Sequence, residues 1–267
     1  MRMIYKIGPF ILLNLVLGCC GVMAQQDAAE LAKKLSNPIS SLISVPFQNN
    51  TDYGMGDLKG SRNTLNIQPV VPFSFNSKLN LITRLIMPII SQYNITGEGE
   101  KQSGLSDFVL SGFLSPKETK NGVTWGAGPV FLLPTGTNDY LSTKKFGIGP
   151  TAVALKQTNG WTYGALANQI WSVAGNKDRP AVNQMFLQPF FAYNWKSGAG
   201  LGANMEYTQN WQANTATIFL HPIVTGVTSI GNQKLQLGFG PRINIAAPNG
   251  NTSSWGWRAL LVLLFPK

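Results

Sequence analysis

From Gly200 to Trp211 the chain alternates. Leu201, Ala203, Met205, Tyr207 and Trp211 fall on one parity, and Gly202, Asn204, Glu206, Thr208 and Asn210 fall on the other. Successive side chains of a strand point to opposite faces, so this stretch reads as a strand between an apolar phase and a polar one. The pattern recurs at similar length. Beyond Pro38 it divides into about twelve strands, at 41–53, 62–75, 79–93, 105–116, 122–134, 146–157, 161–175, 183–195, 199–211, 215–229, 234–246 and 254–265. Leu65, Ile67, Val71, Phe73 and Phe75 oppose Thr64, Asn66, Gln68 and Ser74; Met185, Leu187, Phe191, Tyr193 and Trp195 oppose Gln184, Gln188 and Asn194. Leu235, Leu237, Phe239, Ile243 and Ile245 oppose Lys234, Gln236, Arg242 and Asn244. Two stretches, 146–157 and 215–229, show no clean parity and are left unoriented.

The connections alternate in length. Short ones (76–78, 117–121, 158–160, 196–198) hold tight-turn residues, and longer ones (54–61, 94–104, 135–145, 176–182, 247–253) hold Gly, Asn and charge. Aromatic residues gather at strand ends, with Tyr53, Tyr93, Trp171, Trp211 and Trp255 toward the long loops and Phe75, Trp161, Trp195 and Phe265 toward the short turns. Together these features predict an all-β fold, a transmembrane antiparallel up-and-down barrel of about twelve strands with both termini on the short-turn side. A short amphipathic helix precedes the barrel. Ala28, Leu31, Ala32 and Leu35 share a face at helical spacing and Asn37-Pro38 stops it, which predicts a periplasmic tether at 25–39, with a plug reaching into the lumen as the other reading.

Composition narrows the class. Of 267 residues 12% are charged, and the longest unbroken aliphatic run after the N-terminus is Ala259 to Phe265, too short for a membrane-crossing helix. Residues 1–24 have a basic start (Arg2, Lys6), an apolar stretch from Ile7 to Gly18 and a Val22-Met23-Ala24 cleavage pattern, so they read as a signal peptide, with the barrel domain at 40–267. Val16-Leu17-Gly18-Cys19 offers a rival lipoprotein-type cut. Both cysteines, Cys19 and Cys20, lie in this leader, so the mature chain needs no disulfide. Removing Arg2 and Lys6 leaves 19 basic residues against 11 acidic ones, a net charge of +8. The excess is spread over turns without an aromatic-basic platform, which argues against nucleic acid and for phosphate-rich lipid.

Little in the chain points to catalysis. Gly-x-Gly-Pro occurs at Gly126–Pro129, Gly147–Pro150 and Gly238–Pro241, but no Lys-Ser/Thr follows and no helix opens, so the glycines are read as allowing a bend or a close backbone approach, not as a phosphate loop. One histidine, His221, and no mature cysteine supply no metal-ligand set and imply no cofactor. Charges in mid-strand are more informative. Arg84, Asp107, Glu206, Arg242 and Arg258, with Asn204, are predicted to face the lumen, because an Arg or Lys on the lipid face near the midplane costs about 2 to 4 kcal/mol. There they form an ion-pair network, a charge-selective constriction, or both. Seven prolines (69, 88, 129, 150, 189, 222, 241) fall inside the strands, mostly seven residues from the nearest short turn. The count predicts a belt of bulges part-way up the wall.

Several motifs resemble the outer-membrane family of the meta-pathway of phenol degradation, a transporter-like group. They are Leu31-Ala32-Lys33-Lys34-Leu35-Ser36-Asn37-Pro38-Ile39, Ser44-Val45-Pro46-Phe47-Gln48-Asn49-Asn50, Gly128–Thr135, Trp161–Asn168 and the ending Leu263-Leu264-Phe265-Pro266-Lys267. The resemblance covers nearly all of the mature chain and implies a barrel with a transport role; the family has no established catalytic residues to carry over. The leading expectation is therefore a non-enzymatic outer-membrane channel for passive passage of small solutes, hydrophobic or aromatic ones included, in a Gram-negative envelope. Its expected partners are outer-membrane lipid and lipopolysaccharide, a small-molecule solute and the barrel-assembly machinery. The alternatives are a barrel enzyme that acts on envelope lipid through His221, and a non-conducting structural barrel.

Overall fold

In a computed structural model of the chain, the described residues are 27–248 and 250–265. The leader expected at 1–24 lies outside them. Twelve strands form the wall: β1 (Ile43–Met55), β2 (Gly60–Ile67, continued by Val70–Ser74), β3 (Leu79–Tyr93), β4 (Lys101–Leu105, continued by Phe108–Pro116), β5 (Val123–Leu133), β6 (Lys145–Thr158), β7 (Trp161–Gly175), β8 (Asn183–Asn194), β9 (Ala199–Asn210), β10 (Thr215–Ile230), β11 (Gln233–Pro241, continued by Ile243–Ala246) and β12 (Trp255–Phe265). Each pairs antiparallel with its neighbours in sequence, and β12 pairs β1 from Ile43↔Phe265 to Tyr53↔Trp255, so the sheet closes without a free edge. Closure matters because a backbone group left unpaired in hydrocarbon has no water to turn to. Among the described residues no helix is long and apolar enough to cross a membrane. The outer surface carries the expected apolar set, with Phe73, Phe191, Leu201, Leu237 and Phe239 exposed. Interfacial aromatics cluster too: Trp161, Tyr193 and Trp195 sit together near the short turns, and Tyr53 stacks on Trp255 near the long loops.

All seven strand prolines lie in the wall and none in a turn. Pro129 faces Pro150 across β5 and β6, while the registers on either side put Pro222 opposite Pro241 across β10 and β11. The ladder is interrupted beside each proline, because the ring offers no N–H. The three Gly-x-Gly-Pro copies share one local geometry. Gly112, Gln169 and Pro222 stand opposite Pro129, Pro150 and Pro241, and their carbonyl oxygens, lacking the missing donor, lean onto the preceding glycine. A Cβ on Gly128, Gly149 or Gly240 would lie 2.0, 1.7 or 1.9 Å from that oxygen. The second glycine of each motif is thus fixed by close approach of backbone.

Residues 27–35 form a helix, α1, braced on its outer face by a Lys34–Glu30 pair at 2.7 Å. The Lys34 ammonium holds the Glu30 carboxyl below the usual carboxylate range. The helix packs into the short-turn mouth of the barrel. Ala32 is wholly buried, Asn194 donates to the Ser36 hydroxyl at 2.8 Å, and Gln157 donates to the Lys33 carbonyl at 2.7 Å. Just after it, Ile39 enters an interior apolar cluster with Val70, Ile82, Phe113, Val153, Leu155 and Leu166. These contacts belong to the plug reading more than to a free tether. They also explain why 146–157 resisted orientation: Val153 and Leu155 face inward onto the plug residues, so both faces of β6 are apolar.

Candidate functional site in the lumen

Toward the long-loop side, inward alternation along five strands brings charges from distant parts of the chain together. Register sets Asn204 beside His221 and Glu206 beside Phe219, and it puts Arg258 between Asn50 and Gly240. Glu206 accepts from the Arg258 guanidinium at 2.8 Å through one oxygen, while the other lies 3.2 Å from His221 Nε2 and 3.6 Å from Arg242. Arg242 donates from Nε to both Asp52 oxygens, at 2.9 and 3.0 Å, and its guanidinium lies over the Phe219 ring at 3.5 Å. Arg258 completes its set with Asn50 at 2.7 Å and Asn204 at 3.5 Å, and is only 3% exposed. Arg242 occupies the break in β11, where its own N–H bonds Gly256. Gly256 carries no side chain where one would press on Asp52.

Asp52 and Arg62 were not singled out from the sequence. In β1 the run Gln48-Asn49-Asn50-Thr51-Asp52 is polar on both parities, because Asn49 and Thr51 pair with Asn63 on the other face of the sheet, which hides the inward set. Arg62 continues the polar lining outward, donating to Gln92, which donates to Gln102, which donates to Thr96 in the loop after β3.

Asp107 stands apart from the charge cluster. Expected among the lumen charges, it lies at the break in β4 opposite Pro88, where the register slips by one residue. Its carboxylate is spent on the following loop, accepting from Gly136 N, from Ser142 Oγ, and from both the N–H and the hydroxyl of Thr143. Arg179 fastens the same loop from the other side, donating to the carbonyls of Asp139 and Ser142 at 2.6 Å. Asp107 is a loop anchor.

Below the network the lumen is not filled. One cavity of about 200 Å³ lies above the helix, floored by Leu35, Ser36 and Pro38, and reaches Asn204 and Arg258. A second of about 220 Å³ lies beside Asn168, Gln184 and Glu206. Gln48, Arg84 and Gln188 line both. Arg84 stands at this junction, half-buried, with one guanidinium N–H donated to Gln68 Oε1. It takes part in none of the ion pairs found among the described residues.

His221 has no exposure, its Nε2 faces Glu206 and Arg242, and its Nδ1 has no partner. Among the described residues no serine hydroxyl bonds it. No group of three or more His, Cys, Asp and Glu side chains converges among the described residues.

The chain superposes on an outer membrane channel from Pseudomonas putida F1 with a TM-score of 0.66 at 17% identity, over 86% of this chain and 97% of that one. It aligns more loosely with the β domain of a Bordetella autotransporter (TM-score 0.46, 11% identity, 84% of this chain and 100% of that one) and with outer membrane phospholipase A of Escherichia coli (0.45, 12%, 83% and 92%). No family model and no curated protein sequence matches the chain, so the resemblance to the phenol meta-pathway family stands without a matching family model. Kinship is therefore one of fold: a closed, twelve-stranded barrel of the outer-membrane type.

Proposed function

We propose that the protein is a narrow passive channel for small solutes in the outer membrane of a Gram-negative cell. One observation carries the reading: two cavities in series meet at Gln48, Arg84 and Gln188, between the helix-closed short-turn mouth and the looped far end. Eight strands leave an interior filled by side chains and 16 to 18 leave an open pore, so twelve with a partial plug suits a constricted path. The Pseudomonas putida protein of similar fold is itself an outer membrane channel. On this reading residues 1–24 are the export leader, the helix at 25–39 restricts the periplasmic mouth, and the lumen charges select solutes. Lipopolysaccharide surrounds the wall and the assembly machinery inserts it. Planar-bilayer recording tests this directly. Small, stable conductance steps are expected, enlarged when residues 27–38 are deleted, and no conductance from either form overturns the proposal.

A further inference from the structure

Arg84 differs from every other arginine in the lumen network. Arg242 and Arg258 are met by the carboxylates of Asp52 and Glu206, and Arg62 lies directly across the ladder from Asp52. Arg84 has amides around it, and Glu206, which lines the same cavity, makes no ion pair with it. Four lumen guanidiniums (62, 84, 242, 258) face two carboxylates, Asp52 and Glu206; Arg62 and Arg84 form no ion pair among the described residues, and of these two it is Arg84 that stands where the two cavities join. Glu206, on the rim of the upper cavity, has one oxygen engaged by Arg258 and the other by His221, so its charge is compensated before any ligand arrives. A half-buried cation without a counter-charge in contact carries a desolvation cost that an incoming anion relieves.

The rest of the upper cavity describes the body of that anion. Ile86, Val109, Leu166, Ile170 and Phe186 form an apolar side, facing the amides of Asn66, Gln68 and Asn168. A guanidinium presents a planar fork that suits two carboxylate oxygens, and neighbouring amides add single hydrogen bonds. An apolar cavity of 150 Å³ accepts benzene, so about 220 Å³ takes a body on the order of eight to ten non-hydrogen atoms. We infer that Arg84 and the apolar side of the upper cavity form a binding site for a small carboxylate with an apolar tail. The inference rests on the lumen being a solute path, but the site can be tested without any transport.

Hexanoate, hexan-1-ol and hexylamine serve as matched probes, added to the folded protein in detergent micelles and followed by calorimetry and ligand-observed NMR. Hexanoate is expected to bind saturably, hexan-1-ol more weakly and hexylamine not at all. Arg84→Gln should weaken hexanoate roughly ten- to hundredfold, the range for loss of a charge-assisted hydrogen-bonded pair, and leave hexan-1-ol unchanged. Folding of the variant is checked by heat-modifiable gel mobility; the ranking of the three probes on the natural protein needs no variant. Hexylamine binding as well as hexanoate, or hexanoate binding untouched by Arg84→Gln, overturns the site. Conductance without hexanoate binding leaves the channel standing and removes the site. Hexanoate binding without conductance does the reverse.

Discussion

Arg242 and Arg84 both project from the wall into one lumen, yet their surroundings are opposite. Arg242 is held by Asp52, close to Glu206 and His221, and flattened on Phe219; Arg84 has Gln68 and open space. Removing one partner from a saturated ion cluster strands the others in a poorly solvated interior, whereas removing an uncompensated charge strands nothing. The first region is therefore part of the wall's stability and the second is free to serve a ligand.

The strongest way to break that contrast is Glu206→Ala. It leaves Arg258 and His221 without their shared acceptor and should lower unfolding stability by about 3 to 5 kcal/mol, read as a shift in the urea midpoint of barrel refolded into lipid vesicles. A cost below that of Arg84→Gln would mean that the cluster does not brace the wall. Next, Gly240→Ala places a methyl against the Pro222 carbonyl beside the cluster and should cost about 1 to 3 kcal/mol, while Gly226→Ala, with nothing within 4 Å of its Cβ, serves as the neutral control in the same titration. Asn194→Ala removes the bond to Ser36 that holds the helix, at about 1 kcal/mol. Its signature is a rise in open-channel noise with little change in unfolding. Smallest in stability is Arg84→Gln, within about 1 kcal/mol either way. Its effect should appear instead in ion preference, as a reversal potential moved away from anions; a stability loss equal to that of Glu206→Ala would erase the distinction between the two arginines.

The barrel was legible because lipid imposes a period-two code on every strand, and boundaries such as 79–93, 161–175 and 254–265 follow from it within a residue or so. The code fails where the inside is not wet. β6 turns Val153 and Leu155 toward Ile39, and β10 turns Phe219 and Ile223 inward, so parity vanished in both. Lumen charges were readable one at a time from the cost of an ion in hydrocarbon. Which of them pair was not: Arg242 meets Asp52 across 190 positions of chain, and Ser36 meets Asn194 across 158. The bonds of Asp107 to the loop at 136–143 were hidden for a local reason. A one-residue slip opposite Pro88 changes what a side chain faces, and one sequence does not display a slip.

The leaning carbonyls of Gly112, Gln169 and Pro222 set an order in which this wall accepts change. Replacing the second glycine of a Gly-x-Gly-Pro motif first drives a methyl into backbone oxygen. Replacing the proline first restores an N–H, draws the carbonyl back into the ladder and clears the place where a methyl would stand. The same two substitutions are thus obstructed in one sequence of events and permitted in the other. Each motif behaves as a ratchet on the history of the chain, with its proline as the pawl that must lift before its glycine can move.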